Sequence, residues 1–179
     1  MEYQAILEFW FEHLQAEQRF VIEASVDLQI TESYSGLLQS ASFAELWAWR
    51  DSAKGSLAEV IVLDQFSRHI HRGSAQAFAC DPLALALAQN AVAKQFDQRL
   101  TPTMRAFLYM PYMHSESLVI HQQAEQLFHQ PGLEQQYQFE LKHKTILEKF
   151  GRYPHRNQIL GRQSSAAELA FLAGPNSSF

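Results

Sequence analysis

Long stretches of this chain hold neither glycine nor proline, and within them apolar residues recur at helical spacing. Only 7 glycines and 6 prolines punctuate 179 residues. A turn-rich all-β fold needs more breaks than that, so the pattern favours helices. Residues 3–14 set Tyr3, Ile6, Leu7, Trp10 and Leu14 on one face of an amphipathic helix. Trp10 and Phe11 are expected to anchor the core. Val26, Ile30, Tyr34 and Leu37/Leu38 predict a second helix ending near Gly36 or shortly after. Ser42 with Glu45 reads as a capping box for a short helix carrying Trp47 and Trp49.

Gly55-Ser56 reads as punctuation before SLAEVIVLDQFSRHIHRG. The apolar set of that segment continues through Phe66 and Ile70 for more than 14 residues without a turn signal. Helix is therefore preferred to strand, with Gly73 as its stop. Asp81-Pro82 and Thr101-Pro102 each place a capping residue before proline, a strong start signal. The first opens the alanine-rich LALALAQNAVAKQF. The second opens TMRAFLYM, expected to end at Pro111. Ser115 is expected to cap the next helix, which runs to about His129. Pro131-Gly132 turns the chain into a long helix that ends at Gly151, a C-cap glycine. Ser164 or Ser165 opens a last short helix. The fold class that follows is all-α: eight or nine helices in one domain over 1–173, with 174–179 a flexible tail.

Composition narrows the function classes. With 47% apolar and 12% aromatic residues, the chain can build a full core. A formal net charge of -5 does not attract nucleic acid overall. One cysteine, Cys80, excludes a disulfide framework and multi-Cys zinc sites, and it reads as a small packed residue. The first residues lack a basic stretch, and no apolar run reaches the roughly 20 residues of a membrane span. A cytoplasmic protein with no membrane or nucleic-acid partner is expected. No HExxH, i,i+4 histidine pair, GxSxG elbow, P-loop or GxGxxG is present, so neither a metal nor a cofactor is expected.

Polar residues in apolar company carry the remaining information. Asp64 sits in VIVLDQF, and a buried carboxylate without a partner costs several kcal/mol, on the order of other unpaired buried charges. Arg68, four residues on, shares its face. It is either a structural partner of Asp64 or a ligand-holding group that Asp64 orients. His143 lies on the stripe of Phe139, Ile146/Leu147 and Phe150, facing the core or a cavity. His114 and Glu116 follow Pro111 at a helix boundary. FGRYPHRNQILGR, residues 150–162, gathers Arg152, His155, Arg156 and Arg162 without an acid. Gly151 permits a turn and Pro154 stiffens it. Arg156 offers a planar fork suited to carboxylate or phosphate.

LDQFSRHIHRG, FLYMPYMHSES and HKTILEKFGRYPHRNQILGR, in that order, resemble the motifs of a family of uncharacterised proteins, domain of unknown function 924. The resemblance runs from EFWF at 8–11 to the final helix. It falls on Asp64, Gln65, Phe66, Arg68, Arg72 and Gly73, then on Pro111, His114, Ser115 and Glu116. It falls last on His143, Phe150, Gly151, Arg152, Pro154, His155, Arg156, Asn157, Gly161 and Arg162. His69 stands where the family more often has asparagine, and Tyr153 where it has phenylalanine. The resemblance implies stacked antiparallel helix pairs similar to tetratricopeptide superhelices; it implies no activity.

Two function classes remain open. In one, a pocket binds, or binds and transforms, a small anionic metabolite. Its candidate ligand-binding residues are Arg68, His114, Glu116, His143, Arg152, His155, Arg156 and Asn157, with Asp64, Arg72 and Arg162 in support. In the other, a concave helical face takes a protein or peptide partner and the motif residues are structural. The aromatic residues mostly fit core stripes, which favours the pocket.

Overall fold

SLAEVIVLDQFSRHIHRG forms the central helix of the protein, whose computed structural model describes residues 2–175 and Ser177. Helix α1 is α-helical over Tyr3–Glu8 and closes in a π-helical turn, Phe9–His13. Helix α2 is Ala24–Ser42. The central helix, α3, is α-helical over Ala53–Ile61 and Ser67–Ile70, with a π-helical turn at Val62–Phe66 between. Helices α4 to α8 follow as Asp81–Ala93, Pro102–Met113, Leu118–Phe128, Glu134–Phe150 and Ala166–Leu172. Among the described residues these eight helices are joined by short 3-10 turns and there is no strand. The all-α expectation holds.

α3 is central because it is apolar nearly all round: residues 55–67 are buried without a break. α1, α2, α4 and α5 pack against it. Phe66 meets the rings of Phe9, Trp10 and Tyr34 at 6.0, 5.6 and 4.8 Å, separations at which aromatic pairs attract. The one acid in its first half, Glu59, is fully buried and takes two hydrogen bonds from Arg50, at 2.7 and 2.6 Å. Neighbours in sequence then pack as neighbours in space, α5 on α6 and α6 on α7. A small second core of Ile146, Leu147 and Tyr153, with Phe150 and Phe171 against it, ties α8 to the end of α7. All of this makes one domain.

Several local expectations are overturned. α2 continues through Gly36 to Ser42, because nothing crowds Gly36 and one helical glycine costs only about 1 kcal/mol. Ser42 is therefore the last residue of α2, not a cap; its hydroxyl donates to the Gln39 carbonyl at 2.7 Å. Trp47–Asp51 is a 3-10 turn. Ser52 caps α3 by accepting from the Gly55 N–H at 3.1 Å. Gly55 lies inside α3, not before it: the Trp49 carbonyl oxygen comes within 2.1 Å of where a Cβ would stand. Cys80 occupies the cap position of α4, with Asp81 its first residue. Pro111 does not end α5, which runs on to Met113, and α6 starts after Ser117 rather than Ser115. The Ser115 carbonyl is instead held by His121 Nε2 at 2.9 Å.

Thr101, the capping box of Ser165 with Glu168, and the left-handed Gly151 end cap stand as expected. No helix among the described residues is long and apolar enough to cross a membrane. Of the tail expected at 174–179, Asn176, Ser178 and Phe179 lie outside the described residues.

Candidate functional site

The second half of α3, the end of α5, the middle of α7 and the turn after Gly151 meet around a cavity of about 740 Å³. Each contributes a residue already conspicuous in sequence: Arg68, His114, His143, and the pair His155 and Arg156 all line it. A cavity of about 300–1,000 Å³ suits a small-molecule ligand.

The floor is built on Asp64, which is fully buried. Its carboxylate accepts from His114 Nδ1 at 2.7 Å and from Gln65 Nε2 at 2.5 Å, and lies 3.2 Å from Arg68 Nη1. Burial alone would push this carboxyl up, but Arg68 and His114 beside it hold it well below the usual carboxylate range. Arg68 does not depend on Asp64 alone: both its Nη atoms donate to Asp81, at 2.9 and 3.0 Å. Asp81 was legible only as a helix start. Arg72 forks onto Asp27 at 2.6 and 2.8 Å, and His69 Nδ1 meets the same carboxylate at 2.7 Å. His69 thus shares a carboxylate with Arg72.

Arg156 is held differently. It is only 7% exposed, stacked between the rings of Phe78 and Tyr153 at 4.6 and 4.8 Å. Its one carboxylate contact is Asp81, at 3.4 Å, and its buried Nε has no hydrogen-bond partner among the described residues. Burial and the neighbouring Arg68 both push its pKa down. Charge is therefore under-compensated at Arg156, where an anion would be welcome.

The histidines of the wall are neutral. Burial pushes His143 down to about 3, and burial together with Arg156 pushes His155 down to about 4. Burial also lowers His114, against the pull of Asp64. His143 Nδ1 donates to the Phe139 carbonyl at 2.8 Å, which makes Nε2 its basic nitrogen. A neutral His114 with its Nδ1 on an ionised Asp64 likewise carries its basic lone pair on Nε2. That is the arrangement of a general base oriented by a carboxylate.

The remaining candidates do not line this cavity. Glu116 accepts from Arg162 at 2.6 and 2.9 Å and from the Tyr153 N–H at 2.6 Å, clamping the turn that presents His155 and Arg156. It lines a second cavity, of about 420 Å³, separated from the first by Phe78, His114 and Arg156, which face both. Arg152 forks onto Glu168 at 2.7 and 2.9 Å, and Asn157 Nδ2 reaches Ser164 and Glu168 at 3.0 and 3.3 Å. The cation-rich stretch 150–162 thus divides: Arg152, Asn157 and Arg162 fasten the turn, and His155 and Arg156 face the cavity.

Arg19 and Lys142 complete the lining cations, and no Asp or Glu among the described residues lines the larger cavity. No group of three His, Cys, Asp or Glu among those residues is placed to hold a metal ion. Sequence reasoning missed Tyr153 as a wall. It is fully buried, with its hydroxyl donating to the Met113 carbonyl at 2.6 Å. The aromatic expectation also fails in part, because Phe20, Phe43, Trp47 and Phe139 are exposed.

Fold and cavity together define an all-α protein whose sequence motifs converge on one cation-lined pocket. The chain belongs to the DUF924 family, described as bacterial protein of unknown function, whose pattern matches residues 6–176. A solved structure of a protein of unknown function from Agrobacterium tumefaciens is similar, at 34% identity and a TM-score of 0.90. The match covers 95% of this chain and 96% of that one. No curated protein matches.

Proposed function

We propose that the protein binds a small anionic metabolite in the larger cavity. Arg156 is the principal anchor, Arg68 the second cation, and His114, His143 and His155 supply hydrogen bonds. The observation that carries this reading is the sign of the wall. In a chain of net charge -5, five cationic side chains and no carboxylate among the described residues line the cavity. Asp64 and Asp27 stand behind their arginines, so the positive ends of the ion pairs point inward. A cytoplasmic setting belongs to the same proposal. The Asp64–His114 pair would meet any acidic proton of a ligand seated near Nε2.

The alternative is a helical-repeat module of tetratricopeptide type that takes a protein or peptide partner. Exposed Phe43 and Trp47, 68% and 66% accessible, favour it. It leaves the Arg156 environment without a purpose, and we rank it second.

The test is calorimetric titration of the full chain with a panel of mono-, di- and tricarboxylates and phosphate monoesters. At least one anion is expected to bind, and Arg156→Gln to weaken it at least tenfold, since a charge-assisted hydrogen bond contributes about 1.5–3 kcal/mol. No binding across the panel, or equal binding by the variant, would refute the anion reading.

A further inference from the structure

The lining of this cavity carries two distinct kinds of group at different depths. The floor, away from solvent, holds the polar groups of Arg156, Gln65 and His143, 7%, 6% and 6% exposed, among buried Met110, Met113 and Tyr153. The mouth carries an exposed apolar group, Phe20, Val21, Phe139 and Ile159, 66%, 49%, 42% and 37% exposed, beside exposed Arg72, Gln135 and Lys142. Admission of a hydrophilic ion does not call for four exposed apolar side chains at one opening, and clustered exposed apolar side chains mark binding surfaces. The mouth is also anchored. Arg19 donates to the carbonyls of Trp10, Phe11 and Leu14 at 2.7, 3.1 and 3.1 Å, which fixes the loop bearing Phe20. Phe20 itself stacks on Phe107 with ring centroids 5.9 Å apart.

We propose that the ligand is an amphiphilic anion. Its carboxylate or phosphate head lies on the Arg156 floor, and an apolar body lies outward along Phe20, Val21, Phe139 and Ile159. This rests on the anion reading above and adds the second half of the ligand. Size supports it, because a bare inorganic ion leaves most of about 740 Å³ unfilled. Charge supports it too. A partner's apolar surface laid over the mouth would cover Phe20 and Phe139 yet leave the Arg156 guanidinium as poorly compensated as before.

The experiment is calorimetry on the full chain with two series, each kept below its micelle concentration. One is acetate, butanoate, hexanoate and octanoate. The other is inorganic phosphate with butyl, hexyl and octyl phosphate. Octanol and octylamine serve as head-group controls. Affinity is expected to rise up to about fourfold per methylene, the equivalent of ~0.8 kcal/mol of apolar transfer. The stronger series identifies the head. Phe139→Ser and Ile159→Ser, both at exposed positions, should flatten the chain-length dependence while leaving acetate and phosphate binding unchanged. If acetate or phosphate binds and longer chains add nothing, the amphiphile inference falls and the anion reading stands. If octanol or octylamine binds as tightly as octanoate, the anion reading fails. Binding in neither series overturns both. A chain-length dependence that survives both substitutions puts the apolar body elsewhere and overturns the assignment of the mouth.

Discussion

Replacing Arg156 by methionine separates binding from stability. Methionine keeps an apolar stem of similar reach between Phe78 and Tyr153 and deletes the charge. Four contributions to stability are lost or relieved. Attraction to Asp81 at 3.4 Å is about 5 kcal/mol at an effective dielectric of 20. Two cation–π contacts at 4.6 and 4.8 Å add about 1–2 kcal/mol each. Against these stand the burial of a guanidinium, several kcal/mol, and repulsion from Arg68. Asp81 is not orphaned by the change, because Arg68 still donates to it twice. Burial outweighs the compensating contacts enough to push the Arg156 pKa down, so the charge adds little net stability: Arg156→Met should alter unfolding stability by no more than about 1 kcal/mol, a urea midpoint shift of about 0.5 M for a slope near 2 kcal/mol/M. Anion binding should fall at least tenfold. Urea denaturation followed by circular dichroism gives the first number and calorimetry the second. A loss of 3 kcal/mol or more would mean that Arg156 ties the fold together, and the reasoning that makes it an anion anchor would be refuted.

Two further outcomes follow from the same geometry. Asp64→Asn removes a fully buried charge from between Arg68 and His114 and should cost about 3–5 kcal/mol, read from the urea midpoint; a shift below about 0.5 M in midpoint would show that Asp81 alone suffices to hold Arg68. Acid should weaken the fold early. His143 and His155 have folded-state values near 3 and 4, below the roughly 6.5 of an unfolded histidine, so the unfolded chain takes up protons first. Stability is full above about pH 6.5 and is lost as pH falls toward 4 and then 3. A urea midpoint constant from pH 7 to pH 4 would contradict the burial of these rings.

Helix starts with a local chemical cause were legible. Thr101 and Ser165 each accept from the N–H three residues on, which the chain itself supplies. The misreadings share a different cause. Whether Gly55 breaks a helix or sits inside one depends on where the Trp49 carbonyl ends up. Whether Pro111 stops α5 depends on packing that surrounds it. The candidate site followed the same division. Asp64, Arg68 and His143 stood out because each is polar among apolar neighbours, and Arg156 because its turn is stiffened; Arg68, His143 and Arg156 line the cavity, with Asp64 buried behind Arg68. Glu116, Arg152 and Asn157 stood out equally, but their partners decide their direction: Arg162 is 46 residues from Glu116, and Glu168 is 16 from Arg152. Spacing along the chain carries no record of such pairings. The apolar group at the mouth was illegible too, since Phe20 and Phe139 look like core residues until the fold leaves them outside.

The π-helical turn at Val62–Phe66 holds one residue more than an α-helical turn of the same rise. Everything after it is rotated by about 100° relative to an unbroken helix. Leu57 and Ile61 ahead of the turn, and Arg68 and Arg72 beyond it, therefore point along different azimuths from one axis. The surplus residue acts as a gear: it lets a rod whose first half is keyed to the interior deliver its second half to the cavity. Excising one residue there would give a smoother rod and swing Arg68 off Asp81, leaving a well-formed helix aimed at the wrong place.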